Sequence, residues 1–285
     1  MRILTFDIED WFHLLEHPAS ANFKNWKTFE WRLREGVEGV LDILDGTAHK
    51  ATFFCLGWVA EEFPEVVREI SGLGHEVASH SMYHELVHEH SPKSFAADLT
   101  RSKQILEDIS GVEVTAFRAP GFSITSECPW AFDEILSAGY SVDCSIFPAS
   151  RSHGGLREGF LPNPSMISLD SGNLKCLPMN TVPSVFGDFV FSGGGYFRLL
   201  PSWYLRYKFR TEPYVMTYFH PRDFDANQPI MKGLSLRRRF KAYVGIRGAK
   251  QKLRGIVAEN SFMSVSEAVD HIDWLSVPTS RVSDV

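Results

Sequence analysis

The sequence predicts an α/β protein built from parallel strand–helix units, and three observations predict it. Short β-like runs alternate with helix-like ones, the pattern of β-α units closed as a barrel or open as a doubly wound sheet. At 285 residues and 44% hydrophobic, the chain can build one large core, and an α/β barrel of this length is usually one domain. No internal repeat or low-complexity linker divides it, so residues 1–285 are read as a single domain.

Residues 2–7 read as the first strand and 30–45 as a helix. A-T-F-F-C-L at 51–56 is a buried strand, followed by a helix over 61–72 closed by Gly72 and Gly74. H-E-V-A at 75–78 is again strand-like, and Ser91-Pro92 opens a helix with its proline near the first helical position. Thr115 to Arg118 reads as a strand, 127–138 as a helix, and Tyr140 begins another strand. The stretch 149–200, rich in Gly, Pro, Ser and Asn, predicts long loops with one or two inserted strands. Val215–Phe219 resumes a buried strand, and amphipathic segments near 235–255 and 264–274 give a helical C-terminal part.

Net charge is −6, so no global basic field favours nucleic acid. Cys55, Cys128, Cys144 and Cys176 form no C-x-x-C pair, which suits reduced thiols better than a disulfide scaffold. Met1 leads directly into strand-like sequence without a charged leader, and no run approaches the ~18 apolar residues of a membrane span. A cytoplasmic protein without a transmembrane segment is expected. S-W-Y-L-R-Y-K-F-R at 202–210 mixes aromatics with cations, as membrane-surface segments and amphipathic barrel helices both do.

The chemistry concentrates in four segments. Five of eleven histidines fall between His75 and His90, where composition alone gives about 0.6. His80 and His84 stand four apart, a spacing that puts two imidazoles on one face of a helical turn and suits a divalent metal. T-F-D-I-E-D at 5–10 places Asp7, Glu9 and Asp10 at the end of the first strand, where α/β proteins bind ligands. Alternation sends Asp7 and Glu9 to the same side and leaves Asp10 in the turn. Arg118, before Pro120, can fork onto a carboxylate, and His220, leaving the last strong strand, can donate a proton to a leaving group. One competing motif overlaps the second segment: His84-Glu85-Leu86-Val87-His88 fits H-E-x-x-H, the zinc-protease signature. The polar residues and Ser91-Pro92 that follow at once argue against the long helix that motif needs.

Taken in order, T-F-D-I-E-D, H-S-M-Y-H, R-A-P-G-F and Y-F-H-P resemble the motifs of the polysaccharide deacetylase family, the NodB-homology carbohydrate esterases. The resemblance runs from residue 2 to about 225 and includes A-T-F-F-C-L-G and G-H-E-V-A-S-H. It implies a distorted (β/α) barrel of seven or eight strands. It also implies a metal-dependent hydrolase that removes an acetyl group, N-linked first and O-linked second, from a sugar or glycan. By the same resemblance Asp7 is the catalytic base, Arg118 its orienting partner and His220 the acid. His80, His84 and Glu9 or Asp10 would hold Zn²⁺ or another divalent metal; alternation favours Glu9. Tyr83, Pro120, Phe122, Asp143 and Tyr196 become substrate-side candidates, with a backbone N–H near Tyr83 as oxyanion donor.

Two departures stand out. D-I-E-D replaces the usual adjacent aspartate pair, as in a branch associated with bacterial surface-polysaccharide synthesis, and the later aspartate–tryptophan motif has only Tyr140-Ser-Val-Asp143 as counterpart. A cytoplasmic enzyme of this kind implies a nucleotide- or lipid-linked sugar intermediate as substrate, with peripheral membrane contact. The competing readings are a C–N hydrolase for a small amide or ureide, and a catalytically silent carbohydrate-binding barrel.

Overall fold

The strands that carry the four motifs lie side by side and open at one end. The computed structural model describes residues 1–15, 17–149, 154–156, 159–183 and 187–281. Its strands are β1 (Arg2–Ile3), β2 (Thr5–Ile8), β3 (Thr52–Cys55), β4 (Glu76–Ser79), β5 (Ala116–Phe117), β6 (Val142–Asp143), β7 (Ser165–Leu169), β8 (Gly172–Cys176), β9 (Val215–Met216) and β10 (Thr279–Arg281). The helices are α1 (Leu33–Leu44), α2 (Gly57–Glu62), α3 (Pro64–Gly72), α4 (Pro92–Ser110), α5 (Ala131–Ser137), α6 (Gly194–Leu199), α7 (Ser202–Thr211), α8 (Leu236–Tyr243), α9 (Ile246–Glu259) and α10 (Val265–His271).

Parallel pairing runs β2–β3–β4–β5–β6–β8, and β1 pairs in parallel with β9. The ring closes on both sides of β9. On one side the Asp7 N–H donates to the Phe219 carbonyl at 2.7 Å. On the other, the segment leaving β8 is tied by side chains: the Met216 N–H donates to Asn180 Oδ1 at 3.0 Å and the Tyr214 hydroxyl to the Pro178 carbonyl at 2.7 Å. Side-chain bonds in place of a ladder make this a distorted barrel. β7, antiparallel to β8, and β10 extend the sheet beyond the ring.

The two faces of the sheet bury different cores. One gathers Ile3, Phe54, Ala78, Ala116, Val142 and Met216; the other packs Phe6, Phe53, Val77 and Phe117 with Val37 of α1 and Leu99 of α4. Register puts Asp7 opposite Phe54 and Ala78, on the first of these faces. Arg118, two residues beyond Ala116, points the same way.

Local chemistry fixes the helix ends. Ser91 and Ser94 form a capping box across the first turn, with Pro92 at the first helical position, and Gly111 ends α4 in the left-handed conformation. Pro64 divides the helix expected over 61–72 into α2 and α3, because a proline starts helices but does not continue them. The loop-rich stretch expected over 149–200 holds the β7–β8 hairpin and also α6, whose glycine-rich start hid it.

Candidate active site

Glu9, the two histidines of H-S-M-Y-H, Asp7 and His220 meet at the carboxyl ends of β2, β4 and β9. His80 Nε2 and His84 Nε2 both lie against the same oxygen, Glu9 Oε1, at 3.0 and 2.9 Å. All three side chains are buried. His80 Nδ1 donates to the Arg118 carbonyl at 2.7 Å, which fixes the ring with Nε2 turned to Glu9. Burial alone would raise the Glu9 carboxyl, but the charges of His84 and His220 and the histidine hydrogen bonds hold it well below the usual range. Two imidazole nitrogens converging on a buried carboxylate oxygen form a donor set that fits a divalent cation.

His80 and His84 are not on a helical turn, as their spacing predicts. They belong to the loop after β4, and His84 adopts a left-handed backbone (φ 57°), as does Ser81 (φ 69°). Phe122 (φ 55°) is the third non-glycine residue with positive φ among the described residues, and it lines the same cavity. Positive φ costs on the order of 1–3 kcal/mol per residue, so local strain collects at this site. Asp98 of α4 holds the loop: its carboxylate accepts the Met82 N–H at 3.0 Å from both oxygens.

Arg118 is fully buried, and its Nη1 donates to Asp7 Oδ1 at 2.7 Å and to the Thr5 hydroxyl at 2.8 Å. Its guanidinium also lies 4.1 Å over the Phe54 ring. The arginine therefore fixes one Asp7 oxygen and leaves the other, Oδ2, 3.9 Å from His220 Nε2. His220 Nδ1 lies 3.2 Å from Asp223 Oδ2, and Arg198 sits 3.3 Å from Asp223 Oδ1. Burial would lower the His220 pKa, but Glu9, the Asp223 hydrogen bond and charge, and Asp7 outweigh it and push it up to about 9. Asp223, against its own burial, is lowered to about 2 by Arg198, His220 and Arg222.

Several candidates fall elsewhere. Asp10 does not face the cluster: its Oδ2 accepts the Arg32 and Leu33 N–H groups at 2.9 and 3.0 Å, and its Oδ1 the Trp11 N–H at 2.7 Å. It caps α1, so of the two neighbouring carboxylates only Glu9 faces the histidines. The Tyr83 N–H, expected as an oxyanion donor, is taken by the Asp98 carboxylate, and the Tyr83 ring stacks on Phe23 at 4.2 Å. Asp143 does not reach His220; it is fully buried in β6 and accepts the Ser145 N–H at 3.0 Å. Pro120 is buried behind Gly121 and Phe122, which do line the cavity. Tyr196 faces solvent beside Phe189, while Gly194 and Gly195 of the same helix, α6, form part of the wall. The H-E-x-x-H alternative finds no geometry: 84–88 is not an α-helix, and His88 Nδ1 lies 3.3 Å from the Ser123 carbonyl.

Sequence reasoning missed three features. Asp223 stands three residues after His220, a spacing readable in H-P-R-D. His13 is buried and lines the cavity; its Nδ1 accepts the Asp10 N–H at 3.1 Å, so the ring proton sits on Nε2, which has no partner among the described residues. The cavity, about 650 Å³, also carries Arg222, Arg237, Arg238 and Lys241 on its wall. Arg222 directly follows the Y-F-H-P motif, but no local pattern ties Arg237, Arg238 or Lys241 to it.

The α/β barrel thus carries a carboxylate–two-histidine cluster, a clamped aspartate and a paired histidine at one mouth. Residues 21–140 match the family model described as polysaccharide deacetylase, and residues 144–270 match one described as a domain of unknown function, DUF3473. The first half of the chain is thus similar to the polysaccharide deacetylase (NodB-homology) family. It is 29% identical over 106 residues to a peptidoglycan-N-acetylglucosamine deacetylase of Bacillus cereus, covering 36% of this chain and 38% of that protein. It is 32% identical over 117 residues to a chitooligosaccharide deacetylase of Bradyrhizobium, covering 41% and 45%. The matches thus span less than half the length of these relatives. Among solved structures, a candidate polysaccharide deacetylase from Mycobacterium smegmatis superposes with TM-score 0.65 at 19% identity, covering 98% of this chain and 91% of that one. A CE4-family pseudoenzyme from Bacillus anthracis superposes at 0.52 with 14% identity, covering 99% and 69%. One fold thus carries active and inactive sites, so function has to be argued from side chains.

Proposed function

We propose that the protein is a metal-dependent deacetylase that hydrolyses an N-acetyl group, or secondarily an O-acetyl group, on a sugar or glycan. The observation that carries this reading is the convergence of His80 Nε2 and His84 Nε2 on Glu9 Oε1, beside an arginine-clamped Asp7 and an aspartate-paired His220. A divalent cation held by Glu9, His80 and His84, zinc first among candidates, would acidify water and polarise the acyl oxygen.

The chain's own residues divide the proton traffic. Asp7, oriented by Arg118, takes the proton of the attacking water through its second oxygen. His220, held protonated by Asp223 and the neighbouring carboxylates, gives its Nε2 proton to the departing amine, since an amide nitrogen leaves poorly as an anion. His13 offers its Nε2–H as a neutral donor to the acyl oxygen or a sugar hydroxyl, the part expected of a backbone N–H near Tyr83. Arg222, Arg237 and Lys241 on the cavity wall favour an acetylated sugar carrying a phosphate or diphosphate, as nucleotide- and lipid-linked intermediates do.

The discriminating experiment measures acetate release from N-acetylated oligosaccharides, acetylated nucleotide sugars and simple amides and ureides, with wild type and Asp7→Asn. Release from a sugar substrate, lost in Asp7→Asn, is the expected result. Turnover confined to small amides favours the related C–N hydrolase, and no turnover by metal-loaded protein favours a silent binding barrel.

A further inference from the structure

Two elements at the cavity mouth, α6 and α8, and the adjoining α7 concentrate exposed apolar side chains. Six of the eleven large hydrophobic side chains that face solvent among the described residues, Tyr196, Leu199, Trp203, Tyr207, Leu236 and Phe240, belong to these three helices, and the other five are scattered over other parts of the chain. Trp203 is 71% exposed and Leu236 85%. On α7, the apolar pair Leu205 and Phe209 faces the core, which turns Trp203, Arg206, Tyr207 and Arg210 outward at helical spacing. On α8 no residue is buried, and Leu236, Arg239 and Phe240 share a spacing of three and four.

Charge singles out the same elements. The chain carries a net charge of −6, yet α6, α7 and α8 contain no aspartate or glutamate. They hold instead Arg206, Lys208 and Arg210 on α7 and Arg237, Arg238, Arg239 and Lys241 on α8. Lys208 is paired with Glu212 and Arg206 with Glu259, but among the described residues no ion pair ties Arg210, Arg237, Arg239 or Lys241 to a carboxylate. α6 and α8 are joined directly: Arg198 of α6 donates to the Ala242 and Lys241 carbonyls at 2.7 and 3.0 Å. α6 and α8 also border the cavity, through Gly194, Gly195, Arg237 and Lys241, and α7 follows α6 directly in the chain.

We propose that α6, α7 and α8 form a docking surface for an anionic lipid bilayer, and that docking brings the cavity mouth to the headgroup layer. Aromatic rings and leucines enter the boundary between headgroups and acyl chains, while arginines and lysines meet lipid phosphates. A cation near an anionic membrane surface contributes about 1 kcal/mol, or roughly fivefold in affinity, and this falls with salt. Charge complementarity selects this occupant: a second copy of the chain would bring cations against cations, and a neutral partner would have no use for them. The docking surface stands independently of the deacetylase reading; only its consequence, access to lipid-linked acetylated sugars, rests on that reading.

The test is flotation of the intact chain with phosphatidylcholine vesicles, alone and with about one third phosphatidylglycerol, at low and physiological salt, scored by bound protein and not by turnover. The surface predicts binding to anionic vesicles, at least tenfold less to neutral ones, and weakening with salt. Trp203→Ser/Phe240→Ser and, separately, Arg210→Glu/Arg239→Glu should each lower binding at least tenfold, with unchanged circular dichroism and bound metal. These four residues lie outside the cavity lining, so acetate release from a soluble substrate serves as a separate readout. The proposal is overturned if wild type ignores anionic vesicles, or if the aromatic variant binds as well as wild type and leaves only general polyanion attraction. A concentration-dependent dimer abolished by the aromatic variant would assign the face to a second copy and overturn it equally.

Discussion

Glu9 and Asp10 are neighbouring carboxylates whose surroundings give them opposite work. Glu9 meets two imidazole nitrogens, whereas Asp10 is saturated by three backbone N–H groups. Glu9→Ala and His80→Ala are therefore expected to abolish stoichiometric metal, measured by elemental analysis, while Asp10→Ala and His88→Ala retain it. Losing its cap contacts should cost Asp10→Ala about 1 kcal/mol of stability instead. Metal lost on replacing Asp10 and kept on replacing Glu9 would sink the assignment. The same contrast explains what the sequence could yield. Strand alternation puts Glu9 beside Asp7, but nothing local says that Asp10 has a helix to cap twenty-three residues later.

His220 and His13 give two more residue-scale tests. An acid must be protonated to act, so activity depending on His220 falls as pH rises through its pKa. Asp223 is among the groups that raise this pKa to about 9 against burial. Asp223→Asn should therefore move the basic limb of the pH–rate profile to lower pH, with metal content unchanged. An unmoved limb would assign it to another group. His13→Ala should lower kcat by about 10²–10³ if its Nε2–H meets the developing oxyanion. A rise confined to KM would place the donor on a sugar hydroxyl.

At the scale of elements, the barrel arrangement aligns segments far apart in sequence. α1 packs so closely on the turn carrying His220 that a Cβ on Gly36 would stand 2.7 Å from Pro221 Cβ. Gly36→Ala should displace that turn, cost about 1–3 kcal/mol by overpacking, and reduce turnover while the metal set remains filled. Unchanged kinetics and melting temperature would show that the turn yields freely. The strand–helix alternation and the motif-bearing strand ends were legible because hydrophobic periodicity and motif spacing are local. The H-S-M-Y-H loop was misread as a helical turn because i,i+4 spacing does not report φ, and His84 is left-handed. α6, α8's cations and the Asp98 anchor escaped notice because their meaning comes only from packing against distant segments. Asp143 shows the same limit: its motif position suggested the site, but its side chain lies within the barrel wall.

For the whole molecule, a buried acid away from the chemistry gives a pH test of the fold. Burial raises the Asp143 carboxyl to about 7 against hydrogen bonds from Ser145 and the charge of Arg118. A folded pKa above the unfolded value of about 3.9 favours the native state fully in acid and withdraws that support as pH rises through about 7. Asp143→Asn should therefore narrow the fall in melting temperature between pH 5 and pH 8. An unchanged gap would mean that Asp143 does not titrate with folding.

At the same scale, no helix among the described residues is long and apolar enough to cross a membrane, and the chemistry gathers at one mouth of the barrel. The most direct test of that chemistry is a metal titration of acetate release from an N-acetylated sugar substrate, using chelator-stripped wild type and His80→Ala. Release should be absent in the stripped protein, return in proportion to added divalent cation, and saturate at one ion per chain, with no recovery in His80→Ala. Full release from stripped protein, or equal recovery in His80→Ala, would contradict a metal centre built on Glu9, His80 and His84.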